Sequence, residues 1–221
     1  MKKHACSDIR FAALIAAASL IALVGCAAPS PPRPLGDATQ RLEFNGFSVM
    51  PPRGSGWYIT DSEYGVAFFI KLPSDPLASS NGVIQVPRTF FVAVSLMRPG
   101  LMDVSSPDAL KREVQKSLSA DTDGNQTLVD SKITPYSIQG TDCVRYEATY
   151  EVRNHAAAPG GVLAMPGAGF VCRHPLSPDQ AIHGTYSERR IQGLPPGPAD
   201  THRSEAEAVM ASVLFTSPGK R

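Results

Sequence analysis

The sequence has almost no excess of charge of either sign. It contains 21 basic and 20 acidic side chains, and removal of residues 1–25, with Lys2, Lys3, Arg10 and Asp8, leaves 18 and 19, a net charge of −1. This balance offers no field that would attract nucleic acid or an anionic surface, so we expect no nucleic-acid partner. The sequence also has no H-E-x-x-H, no G-x-S-x-G and no phosphate-cradling glycine loop. No catalytic residue and no cofactor is therefore predicted.

The beginning of the chain lacks an apolar run of the roughly 20 residues that a helix needs to cross a bilayer. Its uncharged apolar stretch, 11–25 (FAALIAAASLIALVG), is shorter than that and follows the basic residues Lys2, Lys3 and Arg10. A basic start followed by a short apolar run is typical of a secretory signal peptide. We therefore predict a signal peptide over residues 1–25.

The end of this apolar run, Leu23-Val24-Gly25-Cys26, resembles a bacterial lipobox. The resemblance implies that the Cys26 thiol is diacylated, that the chain is cleaved before Cys26, and that the new amino group is acylated. Two or more acyl chains hold a protein stably on a membrane. Because Ala27 is not aspartate, the resemblance favours the outer membrane over the inner membrane, with the domain facing the periplasm. The alternatives are an ordinary secreted protein and an uncleaved signal anchor.

A proline-rich stretch follows the cysteine. Residues 27–40 (AAPSPPRPLGDATQ) favour extended polyproline conformations, so we expect residues 26–43 to form a lipidated, semi-rigid spacer. A disordered tail is the alternative. The sequence shows no internal repeat and no second linker, which predicts one globular domain over residues 44–217 and a short tail over 218–221.

The pattern of apolar residues predicts that the domain consists mainly of strands. Apolar residues alternate around Phe47 and Val49, around Trp57 and Ile59, and from residue 64 to residue 72. Residues 89–97 (TFFVAVSLM) are nearly all apolar, as in a central strand that is covered on both faces.

Two stretches have helical spacing. Ser106 precedes Pro107, a capping residue with proline at the first helical position, and Leu110, Val114 and Leu118 then form one stripe. Near the C-terminus, Ala206, Val209, Met210 and Val213 recur at helical spacing behind Glu205 and Glu207, which we assign to the amino end of that helix.

An antiparallel sheet packed by two helices is an α+β sandwich. The predicted order of elements, which is strand-turn-strand, helix, long hairpin, strand and terminal helix, resembles the PsbP-like fold. Residues 46–59 (GFSVMPPRGSGWYI) resemble the opening segment of that fold. Residues 169–190 (GFVCRHPLSPDQAIHGTYSERR) resemble a segment of Gram-negative lipoproteins to which no reaction is assigned. The second resemblance supports an envelope lipoprotein and leaves its ligand open.

Candidate metal ligands occur in two places, and neither set completes a known metal-binding motif. Asp121, Asp123, Gly124 and Asp130 follow the spacing of a calcium loop, but Ser119 stands where its first carboxylate belongs, so we favour a polar turn over a calcium site. The spacing of His155, His174 and His183 matches no zinc motif, so no metal site is predicted. Five side chains also suggest a surface patch near one end of the sheet: Arg173, His174, Tyr186, Arg189 and Arg190. Packing or solvation is an equal alternative for these side chains, and none of them is assigned a catalytic role.

The remaining two cysteines of the predicted domain, Cys143 and Cys172, are expected to form a disulfide. In an antiparallel hairpin the numbers of paired residues have a constant sum, which is 315 for Cys143 and Cys172. This sum places the turn within residues 155–161 and pairs residues 143–152 with residues 172–163, so that Val144 faces Val171 on one apolar side. Cys143 and Cys172 then meet on the other side, within reach of each other. Pro166 suggests a bulge in this pairing, and two buried free thiols are the alternative.

Two function classes follow from these patterns. The first is a non-enzymatic lipoprotein whose domain binds a protein, a glycan or another component of the cell envelope. The second is an envelope hydrolase with an unfamiliar active site. A cleft with convergent, perturbed polar groups would favour catalysis, whereas an apolar surface with a polar rim would favour a binding partner.

Overall fold

The computed structural model describes residues 32–36, 39–60, 65–71, 77–78, 84–85, 88–120, 125–155, 158, 160–193 and 199–219. The predicted signal peptide, Cys26 and the first residues of the predicted spacer lie outside these ranges. In the described part of the chain, no helix is long and apolar enough to cross a membrane.

The described residues form two helices, α1 (Pro107–Ser119) and α2 (Ala199–Ala211). Their strands are β1 (Arg33–Pro34), β2 (Leu42–Phe44), β3 (Phe47–Val49), β4 (Trp57–Thr60), β5 (Val66–Lys71), β6 (Leu77–Ala78), β7 (Ile84–Gln85), β8 (Arg88–Leu96), β9 (Gln126–Ile138), β10 (Thr141–Arg153), β11 (Val162–Arg173), β12 (Ala181–Ile191) and β13 (Leu214–Phe215).

One antiparallel sheet organises the described elements. Its eight strands follow the order β1-β4-β5-β8-β12-β11-β10-β9, while β13, β3 and β2 form a smaller sheet and β6 pairs with β7. The expected central strand is β8, which lies between β5 and β12 and is buried from Phe90 to Val94. The coarse prediction of an antiparallel sheet packed by two helices is confirmed.

Helix α1 covers one face of the large sheet. Ser106 caps the helix, since its hydroxyl accepts a 3.1 Å hydrogen bond from the Ala109 N–H, and the predicted stripe faces inward. Leu110, Val114 and Leu118 belong to one apolar cluster with Tyr146 and other residues of β10 and β11. Burying a leucine or valine side chain contributes about 1.5–3 kcal/mol, so this stripe fixes the position of α1.

Helix α2 and the small sheet belong to a second cluster. Val209 of α2, and Val213 just after the helix, lie with Phe47 of β3, Phe69 of β5 and Val92 of β8, all of which are at most 1% exposed. The opposite faces of the large sheet thus contribute to two separate apolar clusters.

The predicted start of α2 is wrong. The helix begins at Ala199, six positions before Glu205, so Glu205 and Glu207 lie within the helix. Both carboxylates form ion pairs with the large sheet: Glu205 with Lys71 of β5, and Glu207 with Arg145 of β10. Tertiary pairing, and not the helix dipole, accounts for their positions.

The predicted hairpin is confirmed residue by residue. Strands β10 and β11 pair without interruption from Cys143 opposite Cys172 to Arg153 opposite Val162. Cys143 and Cys172 form a disulfide with their Cα atoms 4.1 Å apart, and both side chains are buried. The bridge therefore joins two neighbouring strands inside the core on the α2 side of the sheet.

The bulge expected at Pro166 is absent from the pairing of β10 with β11, where Pro166 lies opposite Thr149. On the other side of β11, the pairing with β12 skips from Ala164 to Gly167 without changing register. Proline has no N–H to donate, so the ladder loses contacts there but keeps its alignment. The shift in register lies instead between β9 and β10, at Thr149 and Tyr150.

The folded part of the chain begins earlier than residue 44. Arg33 and Pro34 pair with Ile59 and Tyr58 of β4, and the Leu35 N–H donates a 2.9 Å hydrogen bond to the Trp57 carbonyl oxygen. Residues 33–35 of the predicted spacer thus lie at the edge of the large sheet, which shortens the segment that separates Cys26 from the domain.

Candidate functional site

A groove runs along the β1–β4 edge of the large sheet. It has a volume of about 770 Å³, and its walls come from the segment after β1 and from the turn that leads into β4. The lining residues are Pro34, Gly36, Thr39 and residues 50–58. A volume of this size falls within the range of small-molecule sites.

The sequence of the turn explains the shape of the groove. Pro51 and Pro52 are buried and restrict the backbone, whereas Gly54 and Gly56 have φ values of 107° and 80°, which side chains with a Cβ rarely adopt. Among the described lining residues, Arg53 is the one with a charged side chain, and it is exposed. The walls are therefore largely apolar side chains and backbone, with one cation.

The inner wall of the groove is fixed by Trp57, whose indole is 2% exposed. Its Nε1 donates a 2.7 Å hydrogen bond to Glu205 Oε2, and the Lys71 Nζ donates a 2.8 Å hydrogen bond to the same oxygen. Lys71 Nζ also lies 5.4 Å from the centre of the indole ring, within the range of a cation–π contact. One carboxylate thus ties α2 to β4 and β5.

The electrostatics of Glu205 follow from these contacts. Burial opposes ionisation of its carboxyl, but the hydrogen bonds from Lys71 and Trp57 and the Lys71 charge outweigh burial and lower the pKa of Glu205. His202 Nδ1 lies 3.6 Å from the same oxygen and adds in the same direction when protonated. Glu205 is therefore a carboxylate at neutral pH, which suits it to holding Trp57 and not to donating a proton.

Gly54 lets the turn approach this carboxylate. A Cβ placed on Gly54 would lie 2.6 Å from Glu205 Oε1, closer than two such atoms can pack. The absence of a side chain at Gly54 is thus a requirement of the Glu205 position as well as of the backbone conformation.

A second polar cluster is buried between α1 and the sheet. Tyr146 Oη donates a 3.0 Å hydrogen bond to Thr185 Oγ1 and lies 2.8 Å from His183 Nε2. Because the one hydroxyl hydrogen of Tyr146 points at Thr185, His183 Nε2 is the donor to Tyr146. Burial raises the pKa of Tyr146 and lowers the pKa of His183 to about 4, so both groups are neutral at pH 7.

The shifted pKa values of this buried cluster are typical of an active site, but the cluster is not accessible to a substrate. Tyr146 is 5% exposed and His183 is 4% exposed. Neither residue lines the groove at the β1–β4 edge. The cluster satisfies polar groups in the core, as buried hydroxyl and imidazole groups require.

The predicted surface patch is not formed. His174 is fully buried, and its Nε2 donates a 2.8 Å hydrogen bond to the Gly46 carbonyl oxygen while its Nδ1 accepts one from the Leu176 N–H. Tyr186 is 4% exposed and belongs to the core on the α2 side. Arg173 pairs with Ala181 at the start of β12, whereas Arg189 and Arg190 lie at the other end of that strand.

The three candidate histidines, all of which lie in the described part of the chain, do not form a metal site. Within the described ranges, no group of three or more His, Cys, Asp or Glu side chains could hold a metal ion. Residues 121–124 of the suggested calcium loop lie outside the described residues. Asp130, its last position, lies in the middle of β9, where the extended backbone does not continue a loop.

A smaller cavity of about 140 Å³ lies between α2 and the sheet, lined by Tyr136, Arg145, Phe170, Glu207 and Met210 among others. Its two charges are paired, since Arg145 and Glu207 lie 3.0 Å apart. This cavity therefore offers little to a ligand, and the larger groove is the candidate site.

No family model matches the chain, and no curated protein matches it. Among solved structures, the chain is similar to the PsbP protein (CyanoP) of Synechocystis sp. PCC 6803, with a TM-score of 0.45, 15% identity, and coverage of 82% of this chain and 95% of that one. It is also similar to the lipid transfer and protein localization domain of human StarD13 (DLC2), with a TM-score of 0.26, 12% identity, and coverage of 71% and 87%.

Proposed function

We propose that this protein is an exported lipoprotein, anchored through acyl chains on Cys26, whose domain is a non-enzymatic binding or accessory module of the cell envelope. In this proposal the outer membrane holds the anchor and the domain faces the periplasm. The expected partner is an envelope component such as a protein or a glycan.

The proposal rests on the pairing of the cysteines, which leaves Cys26 free to carry a lipid. Cys143 and Cys172 bond to each other, so Cys26 is the remaining cysteine once the predicted signal peptide, with Cys6, is removed. A buried disulfide suits a chain that folds in an oxidising compartment outside the cytoplasm. Cys26 follows the apolar run directly, at the position where a lipobox carries its lipid.

The groove supports a binding domain. Its walls are mostly apolar side chains and backbone, and Arg53 is the charged side chain among its described lining residues. The buried His183 and Tyr146 pair, whose pKa values are strongly perturbed, belongs to a different face of the sheet. We also propose the PsbP-like arrangement for the fold. It is supported by the chain order, in which one helix follows the first strands and the other follows β12, and by the packing of the two helices on opposite faces of an antiparallel sheet.

Metabolic labelling with tritiated palmitate tests the anchor. The full chain, Cys26→Ser and the matched control Cys6→Ser are expressed in Gram-negative cells, and each protein is captured and examined for label. We expect label in the full chain and in Cys6→Ser, and none in Cys26→Ser. Label that persists in Cys26→Ser, or an unlabelled full chain, would overturn the proposal. Separation of the two membranes by density then shows which one holds the protein, and we expect the outer membrane.

A further inference from the structure

The groove lies at the end of the domain from which the proposed anchor emerges. Seven peptide bonds separate Cys26 from Arg33, the first residue of β1. At full extension these residues span at most about 25 Å, whatever their conformation. Pro34 and Gly36 follow at once and line the groove, so the site is tied to within a short distance of the anchored cysteine.

A lipid anchor on Cys26 would place this groove beside the phospholipid leaflet. We propose that the groove binds the phosphate-bearing headgroup of a phospholipid from that leaflet. This inference rests on the proposed lipid attachment of Cys26, and it names the ligand class of the candidate site.

The chemistry of the lining residues fits such a headgroup. Arg53 is exposed, and among the described residues it has no carboxylate partner. A guanidinium binds phosphate through two parallel hydrogen bonds, which makes arginine a common phosphate ligand. Met50 and Tyr58 are partly exposed in the same groove and offer apolar surface to the glycerol and first methylene groups.

The tether also removes the need for tight intrinsic affinity. The predicted mature chain has a net charge of −1 and would not be drawn to a membrane by its overall field. A site held near a leaflet meets lipid at a high effective concentration, so a weak contact is enough to be occupied. The lipid on Cys26 thus holds the domain at the membrane, and the groove recognises the headgroup.

Trp57 provides a direct probe, since it is the one tryptophan of the sequence and lines the groove. The full lipoprotein is placed in dodecyl maltoside micelles, which contain no phosphate, and phosphatidylcholine with brominated acyl chains is titrated in. Bromine quenches indole fluorescence only at short range. Brominated diacylglycerol, which has the same chains but no phosphate, is the matched lipid control. We expect saturable quenching by phosphatidylcholine at mole fractions where diacylglycerol quenches little.

Arg53→Gln tests the residue that we assign to the phosphate. Loss of a charge-assisted hydrogen bond should raise the mole fraction for half-maximal quenching about tenfold. Arg173→Gln is the control, because Arg173 is also exposed but does not line the groove; it should leave the titration unchanged. Equal quenching by the two lipids, or equal titrations of Arg53→Gln and the full chain, would overturn the headgroup site. If Cys26 carries palmitate but the two lipids quench equally, the headgroup site is wrong and the lipid anchor still holds. If Cys26 carries no palmitate, the lipid anchor itself is wrong.

Discussion

Trp57 Nε1 lies 2.7 Å from Glu205 Oε2, and this contact joins the groove wall to the terminal helix across 148 residues of sequence. Lys71 donates to the same oxygen from β5. The side chains of Lys71 and Glu205 are only 11% and 16% exposed, so the pair is largely shielded from water. We therefore treat Glu205 as the residue that fixes the candidate site to the rest of the fold.

Glu205→Gln should destabilise the protein, since it leaves the Lys71 ammonium largely buried without a compensating charge. Breaking a buried ion pair costs about 3 kcal/mol, measured as a lower free energy of unfolding in urea. Glu207→Gln is the matched control, two positions further along the same helix, where the side chain is 36% exposed. Glu207 is only partly buried and pairs with Arg145 and Arg203, and such solvent-screened pairs contribute about 1 kcal/mol. A control as damaging as Glu205→Gln would therefore contradict this role.

Gly54→Ala should also lower the thermal stability of the protein, for two reasons that a control can separate. Its φ of 107° strains any residue with a Cβ, and that Cβ would meet Glu205 Oε1. Gly100→Ala also places a Cβ at positive φ, here 77°, but that Cβ meets nothing within 4 Å. Gly193→Ala, with φ at 89° and equally open space, is a second control that lies closer to Gly54 in conformation. We expect Gly54→Ala to lower the thermal midpoint clearly more than Gly100→Ala. Equal midpoints would mean that the contact with Glu205 is relaxed at no cost.

Buried His183 should make the protein sensitive to mild acid. Burial lowers its pKa from 6.5 to about 4 in the folded state. The unfolded chain therefore takes up a proton first as the pH falls, and stability that is fully present above pH 6.5 is lost down to pH 4. The difference between the two pKa values corresponds to about 3 kcal/mol.

His183→Gln removes this titration. Urea unfolding measured between pH 7 and pH 4 should show a shallower loss of stability in His183→Gln than in the full chain, even if the variant is less stable throughout. His155→Gln is the control, because His155 is only partly buried and should change the slope less. Parallel pH profiles for the full chain and His183→Gln would contradict a neutral buried His183.

The disulfide should contribute to stability through the loop that it closes. Cys143 and Cys172 are 29 positions apart, and in the chain-entropy model closure of such a loop contributes about 3–4 kcal/mol. The double variant Cys143→Ala, Cys172→Ala should unfold at correspondingly lower urea. Two free thiols in exported, non-reduced protein, seen by mass spectrometry after alkylation, would reject the pairing.

Local patterns were enough to predict the hairpin, the capped helix and the central strand. In a hairpin the pairing of Cys143 with Cys172 also fixes that of Val144 with Val171, so one register decides many contacts. Ser106 and Pro107 mark the start of α1 within a few residues of sequence. Such features depend on neighbours in the chain, and the sequence displays them directly.

The site was not predictable in the same way. Trp57, Lys71 and Glu205 meet across 134 and 148 residues, and Glu205 looked like a residue at a helix start. His174 looked like a surface residue, but the Gly46 carbonyl oxygen, 128 positions away, holds it inside. A single signal in the sequence pointed toward the groove: the stretch PPRGSGW, where prolines and glycines surround an arginine just before the one tryptophan.

The attachment of lipid to Cys26 is the central claim, and the mass of the amino-terminal peptide tests it most directly. The protein is extracted from membranes with detergent and digested, and its first peptide is measured by mass spectrometry. We predict that this peptide begins at Cys26 and carries acyl chains on both the thiol and the amino group. A peptide that begins at Met1, or one that contains Cys26 with an unmodified thiol, would contradict the account.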